Sequence, residues 1–129
     1  MTTGDEAQLV AAVERVRHDV AVTLGPDAVL IEISTGSSPE VAIATSERHP
    51  SVTGLYVHPG EYEAQLLTRL ADAVQDCLVE SSRMWGSAWP ACPDPSHEHP
   101  LSASYCSPGM WTCPLSGEVV APIGQLGRP

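Results

Sequence analysis

The chain has 129 residues, with 16 acidic side chains against 6 basic ones and a formal net charge of -10. This length excludes a pair of large packed domains, and a hydrophobic fraction of 43% excludes a fully disordered chain. The acidic charge would repel phosphates, so nucleic acid and anionic membrane surfaces are excluded as expected partners.

The amino-acid composition and the first residues indicate the type of organism and the compartment to expect for this protein. All the basic residues are arginine, and lysine, asparagine and phenylalanine are absent, which is typical of a bacterial or phage gene from a GC-rich genome. The stretch Met1 to Glu6 has neither the basic nor the apolar part of a signal peptide, and we expect a cytoplasmic protein. In that reducing compartment, cysteines clustered with histidines are expected to bind a metal rather than to form disulfides.

The segment from Thr3 to Leu24 has the apolar spacing of an amphipathic helix. Its buried stripe is expected to consist of Leu9, Val13, Val16 and Val20. Its polar side is expected to carry Glu14, Arg15 and Asp19. Thr3 with Glu6 forms a capping-box pattern at the start, and Gly25 followed by Pro26 marks the end.

Three segments with alternating apolar residues follow, at 29–34, 41–43 and 52–57, and a second amphipathic helix is predicted from about Glu61 to Arg83. The sequence therefore predicts an α+β fold, in which a helix, a three-stranded antiparallel sheet and a helix follow in order, with both helices on one face of the sheet. Double-stranded-RNA-binding domains share this order, but the acidic charge argues against RNA.

The composition changes near residue 84, since 8 of the 12 prolines and 3 of the 4 cysteines lie in the last 40 residues. We therefore divide the chain into an α-β-β-β-α domain, residues 1–84, and a C-terminal module, residues 85–129, packed on it. The stretch Trp89 to Pro114 has too few aliphatic side chains to be held by hydrophobic burial. A structural zinc ion is predicted to stabilise it instead.

Five side chains of this stretch are candidate zinc ligands, namely Cys92, His97, His99, Cys106 and Cys113. The steps Cys92-Pro93 and Cys113-Pro114 are typical of knuckle turns, in which backbone N-H groups face the sulfur, and they are expected to supply two thiolates. His99 is the expected third ligand, because Pro100 stiffens the chain after it. His97 is preferred as the fourth ligand, and Cys106 is the alternative because a turn would bring it beside Cys113.

Other candidate residues are assigned structural roles. Cys77 lies on the apolar stripe of the second helix and is expected to be a small buried side chain. His58 with Glu61 could form a second site, but acidic residues at a helix start are explained by the helix dipole. Trp85 and Trp89 are expected to pack the C-terminal module onto the helices, and the alternative is an exposed pair that binds a partner protein.

The C-terminal 40 residues resemble small uncharacterised zinc-binding proteins of actinobacteria and their phages. The shared pattern is W-P-x-C-P at 89–93, H-P-L at 99–101, W-x-C-P at 111–114 and V-A-P-I-G-x-L at 120–126. The resemblance implies a zinc-binding tail and no particular activity. Cys106 is outside the pattern, which favours the ligand set with two histidines.

These observations predict a non-catalytic zinc protein that acts as an interaction or adaptor module for another protein. One alternative is a zinc hydrolase with an open metal position, since H-x-H-P at 97–100 with Ser107 resembles JAMM metalloproteases. Met110 stands where those enzymes have a zinc-binding Asp, and thioether cannot replace that carboxylate. The other alternative is an acidic mimic of nucleic acid, which only the charge suggests.

Overall fold

The structure is a computed structural model that describes residues 3–34, 39–58, 61, 63–81, 87–94, 96–105 and 109–127. Its elements are α1 (Thr3–Leu24), β1 (Val29–Ser34), β2 (Glu40–Thr45), β3 (Val52–Tyr56), α2 (Glu63–Val79), β4 (Ser102–Ser104), β5 (Met110–Thr112) and β6 (Val119–Pro122). Two helices and two three-stranded antiparallel sheets confirm the predicted α+β class. Neither helix of the described part combines the length and apolar character that a membrane crossing requires.

The first sheet has the strand order β1-β2-β3, with every neighbouring pair antiparallel. Ile31 pairs with Ile43, which in turn pairs with Thr53. Because side chains alternate along a strand, Ile31, Val41 and Ile43 share one face, and they are buried in the same cluster as residues of both helices. The arrangement expected for this part of the chain is therefore observed.

The helices follow the predicted apolar periodicity. All four members of the expected α1 stripe are buried, with at most 3% of each residue exposed. Helix α2 is shorter than expected, beginning at Glu63 and ending at Val79 rather than near Arg83. The predicted domain boundary falls at residues 82–86, outside the described residues, so it stays a prediction.

The second sheet, in the order β4-β5-β6, contributes to the same core as the first. Trp89, Leu101, Trp111 and Ile123 are each at most 2% exposed and belong to one buried cluster with both helices. The expectation that hydrophobic burial contributes little to this segment was therefore wrong. Two tryptophans bury as much apolar surface as several aliphatic residues, and their rings meet edge to face at 5.6 Å.

The prediction for Asp19 was also wrong, because its side chain is fully buried instead of lying on the polar side of α1. Its Oδ2 accepts hydrogen bonds from the indole Nε1 of Trp111 and the backbone N-H of Gly124, both at 2.7 Å. Its Oδ1 accepts from the N-H of Leu126 at 3.0 Å. A buried carboxylate is tolerated when donors replace water, and here all three donors come from the C-terminal segment.

Gly124 is required for this contact. Its φ is +102°, and a Cβ at this position would lie 2.8 Å from the Cβ of Arg15. The absence of a side chain lets the backbone approach α1 closely enough for its N-H to reach Asp19.

We predict that Asp19→Ala lowers the free energy of unfolding by about 3 to 5 kcal/mol, because it leaves three buried donors without an acceptor. Urea denaturation followed by tryptophan fluorescence measures the change. Asp27→Ala removes an exposed carboxylate and should stay within about 0.5 kcal/mol of the unmodified protein. Equal stabilities of the two variants would show that Asp19 is not a structural clamp.

Candidate metal centre

The loop that carries three of the predicted ligands folds back on itself. Ala91 and Pro100 form an antiparallel bridge, so the two arms of the loop lie side by side. Cys92 and His99 are the next residues inward from this bridge. The pairing therefore places these two ligands opposite each other.

Gln75 of α2 clamps the two ends of this loop. Its side-chain Nε2 donates to the carbonyl of Trp89 at 3.0 Å and also to the carbonyl of Leu101. The backbone N-H of Leu101 donates to Pro90 at 2.8 Å. The buried amide thus donates to two buried carbonyls that water cannot reach and that would otherwise lack a hydrogen-bond partner. It also fixes both ends of the loop to α2.

Asp94 shapes the tip of the loop. Its Oδ1 accepts from the backbone N-H and the hydroxyl of Ser96 at 2.9 and 2.7 Å, and its carbonyl accepts from the N-H of His97 at 3.0 Å. These bonds close a turn that directs His97 toward the cysteines. The hydrogen bonds from Ser96, followed by the charge of His97, hold the pKa of the Asp94 carboxyl below its usual range.

Cys113 enters the site from the second sheet, where it directly follows β5. The N-H of Ser116 donates to its sulfur at 3.5 Å, and the N-H of Gly117 donates to its carbonyl at 2.8 Å. Gly117 has a φ of +77°, which the tight turn needs. A backbone N-H of Asp94 likewise faces the sulfur of Cys92. The knuckle turn predicted at Cys113 is therefore observed.

These segments bring Cys92, His97, His99 and Cys113 together, with one ligand atom from each residue within 4.8 Å of all the others. The Nδ1 of His97 lies 3.4 Å from the sulfur of Cys92 and 3.6 Å from that of Cys113. The Nε2 of His99 lies 3.8 Å from the sulfur of Cys113. For the bond lengths of a tetrahedral zinc site, neighbouring sulfur and nitrogen ligands are about 3.5 Å apart. These three sulfur–nitrogen separations are close to those of a tetrahedral metal site, and the other ligand atoms are at most 4.8 Å apart.

Contacts outside the cluster orient both imidazoles: a hydrogen bond for His99 and an ion-pair contact for His97. The Nδ1 of His99 lies 2.9 Å from the carbonyl of Pro100, so it carries the proton and leaves Nε2 free to bind a metal. The Nε2 of His97 lies 3.5 Å from the Oδ2 of Asp94, which leaves Nδ1 free. Such pairing with a carbonyl or carboxylate is typical of histidines that bind metals.

The two thiols differ in acidity. Hydrogen bonds from Ser116, first from its side chain and then from its backbone, lower the pKa of Cys113 to about 6. The N-H of Asp94 lowers the pKa of Cys92, but burial and the neighbouring Cys113 together outweigh it and raise the pKa above its usual value. Metals bind thiolate, so Cys113 is already in the binding form at neutral pH.

The other predicted site residues fall into three groups. Cys106 and Trp85 lie outside the described residues, so their proposed roles stay predictions. Trp89 is only 2% exposed, and its indole donates to the hydroxyl of Thr23 at 2.9 Å. Its burial corrects the alternative in which Trp89 is an exposed partner-binding residue, and it agrees with packing of the module onto the helices.

Cys77 and the residues around His58 do not join the cluster. Cys77 is buried, and its thiol donates to the carbonyl of Ser51 at 3.1 Å, as expected for a small core residue. The carboxylate of Glu61 accepts from Arg69 at 2.7 Å and from the N-H of His58 at 3.2 Å. These contacts explain the acidic residue without a second metal.

Sequence reasoning missed Asp94 and Gln75. For Asp94 a signal was present, since an Asp followed by Pro and Ser is a frequent turn pattern and lies three residues before His97. For Gln75 there was none, because its partners lie 14 and 26 residues away along the chain.

No protein-family model, curated protein or solved structure matches this chain. The assignment of the site therefore rests on its own geometry.

We predict that Asp94→Ala weakens metal binding by about 10 to 100-fold, because His97 loses the carboxylate that orients its ring. Competition with a chromophoric chelator measures the affinity. Glu98→Gln is the matched control, since Glu98 is an exposed acid between the two histidines and is not in the cluster. A similar loss in both variants would mean that general negative charge, not the Asp94 contact, supports binding.

We also predict the pH dependence of the alkylation of Cys113 by iodoacetamide in metal-free protein. The alkylation rate should increase with pH, and the midpoint of this increase should lie near pH 6, because the pKa of Cys113 is lowered to about 6. Thiolate is the nucleophile, so a lowered pKa moves the rise to lower pH. Mass spectrometry of the modified peptides separates the cysteines. The pKa of Cys77 is raised by burial, so the midpoint of its profile should lie above the usual pKa of a thiol. Coincident profiles for the two thiols would contradict the assignment.

Proposed function

We propose that this chain is a zinc protein whose ion has a structural role, and that its task is non-catalytic interaction with another protein. The observation that carries this proposal is the cluster of four ligand atoms within 4.8 Å of one another. Four protein ligands complete a tetrahedral site and leave no position for a substrate.

Zinc is the metal that suits this ligand set best. Two thiolates with two imidazoles in tetrahedral array favour zinc over magnesium or calcium, which take oxygen ligands. The resemblance to the zinc-binding proteins of actinobacteria and their phages supports the same choice. The bound ion would hold the loop that carries Cys92, His97 and His99 against the end of β5, and it would thereby stabilise the C-terminal module.

A hydrolase is less well supported than a structural site. A catalytic zinc keeps a water in place of a fourth protein ligand and needs a base near that water. Glu98, the carboxylate considered for this role, is exposed and lies outside the cluster. Thiolate ligands also donate charge to the metal, which lowers its ability to activate water.

We also propose a cellular compartment and a type of partner. The chain acts in the cytoplasm of a bacterium or in a phage system, as an adaptor for a protein partner. The acidic surface is a reason to disfavour nucleic acid as the partner. It is also the only feature that supports the rival function, mimicry of nucleic acid toward a basic protein.

We predict that protein purified with zinc carries about one ion per chain, and that Cys113→Ser and His99→Ala each lose most of it, since a thiolate or imidazole ligand is removed. Elemental analysis gives the stoichiometry. Substitution by Co²⁺ should give the intense visible bands of a tetrahedral thiolate site.

Matched controls are available for both ligand types. Cys77→Ser changes a cysteine outside the cluster, and His49→Ala changes an exposed histidine, so both should keep the full zinc content. Well under half an equivalent of zinc in the unmodified protein would overturn the proposal. Octahedral Co²⁺ spectra, with water among the ligands, would favour the hydrolase instead.

A further inference from the structure

Within the described part of the chain, no helix lies against the outer face of the first sheet, although much of this face is apolar. In the register of the strands, Leu30, Ala44 and Val52 form one row across this face, and Ala42 and Gly54 continue in the next row. Leu30 is 54% exposed and Val52 is 67% exposed. Both helices lie on the other side of the sheet, so these residues face solvent.

The outer face is lower along its central strand than along its two flanking strands, and we call this depression the trough. Its floor is the central strand, where Ala42 and Ala44 have very small side chains and Glu40 stands at one end, in the row of Tyr56. Its walls are the large side chains of the flanking strands, Leu30 on one side and Val52 with Tyr56 on the other. The flanking strands are about 10 Å apart, given the usual spacing between neighbouring strands. An α-helix with its side chains is about 10 to 12 Å in diameter, so a helix would lie over this face and place only its apolar stripe between the flanking side chains.

The charges on this face indicate what kind of helix fits. Glu32 and Glu40 lie on the same face as the trough, and no ion pair involves either of them within the described part of the chain. The chain as a whole carries a net charge of -10. A helix with lysine or arginine beside its apolar stripe would neutralise these carboxylates.

Two other modes of association, addition of a strand at an edge of the sheet and pairing with a second copy of the chain, are disfavoured. Arg17 donates to the carbonyl of Ile31 on the β1 edge, and Arg69 donates to the carbonyl of Tyr56 on the β3 edge at 2.9 Å. These arginines occupy acceptors that an added strand would need. A second copy of the chain would bring its own Glu32 against this face, so like charges oppose self-association.

We infer that the outer face of the β1-β2-β3 sheet is the docking surface for a basic amphipathic helix of a partner protein. This inference rests on the proposed interaction function and assigns it a surface, distant in sequence from the metal ligands. The helix would place its apolar stripe over Ala42 and Ala44 between Leu30 and Val52, with basic residues near Glu32.

The probe for the test is a synthetic peptide of about 18 residues, long enough to be helical, with one leucine stripe flanked by lysines. Binding to the zinc-loaded protein is measured by fluorescence anisotropy. We expect Leu30→Ser/Val52→Ser to weaken binding by about tenfold or more. Val10→Ser/Val22→Ser removes two valines that are each 50% exposed on α1, and it should change binding by less than about twofold.

A second pair of variants separates a specific site from general attraction between opposite charges. Glu32→Lys/Glu40→Lys should weaken binding about tenfold, whereas Asp72→Lys/Asp76→Lys makes the same change in net charge on exposed positions of α2 and should have little effect. Equal losses in the two variants would overturn the inference, as would a peptide that does not bind.

The oligomeric state and the zinc content complete the test. A concentration-dependent dimer that Leu30→Ser/Val52→Ser abolishes would overturn the inference and identify a second copy as the occupant. All sheet variants should retain one zinc per chain and the circular dichroism of the unmodified protein. Failure of peptide binding with full zinc content would reject this surface alone, whereas loss of zinc from the unmodified protein would reject the structural metal centre.

Discussion

The buried carboxylate of Asp19 is the constraint on which the arrangement of the two sheets depends. A charge sealed from water is tolerated only if donors surround it, and its three donors come from Trp111, Gly124 and Leu126. None of these donors can be replaced by solvent while the core is closed. The C-terminal strands must therefore be in place for α1 to bury this residue, and Asp19 connects the two halves of the chain from within the core.

The positions of the four candidate metal ligands also depend on contacts with the core. Trp111 lies in β5 with its indole on Asp19, and Cys113 directly follows the end of this strand. The other three ligands sit on a loop whose ends Gln75 holds to α2. The positions of both cysteine-bearing segments are thus determined by contacts in the core, and these contacts bring the ligand atoms together.

The sequence was sufficient for everything that depends on local periodicity or spacing. The helices and the first sheet follow from apolar patterns within one element, and Cys92 and Cys113 are recognisable because each precedes a proline. Asp19 and Gln75 could not be found in this way, because their burial is decided by partners distant along the chain. A helical wheel places Asp19 at the border of the apolar stripe, between Arg15 and the buried Ala12, and only the docking of the C-terminal segment reveals why it is buried.

Because core contacts already order part of the site, a metal would contribute less to folding here than it does in an independent zinc module. In a small independent zinc module the ion supplies nearly all of the folding free energy, because no core holds the ligands in its absence. Here Trp89, Leu101 and Trp111 are already in a core shared with both helices, so part of the entropy of ordering the ligands is offset by apolar burial. In the proposed zinc protein, a bound ion would act mainly on the loop between residues 91 and 100, whose ends are held by contacts in the core. A metal centre of this kind stabilises a local conformation, and the sheet on the far side of the helices stays open for other contacts.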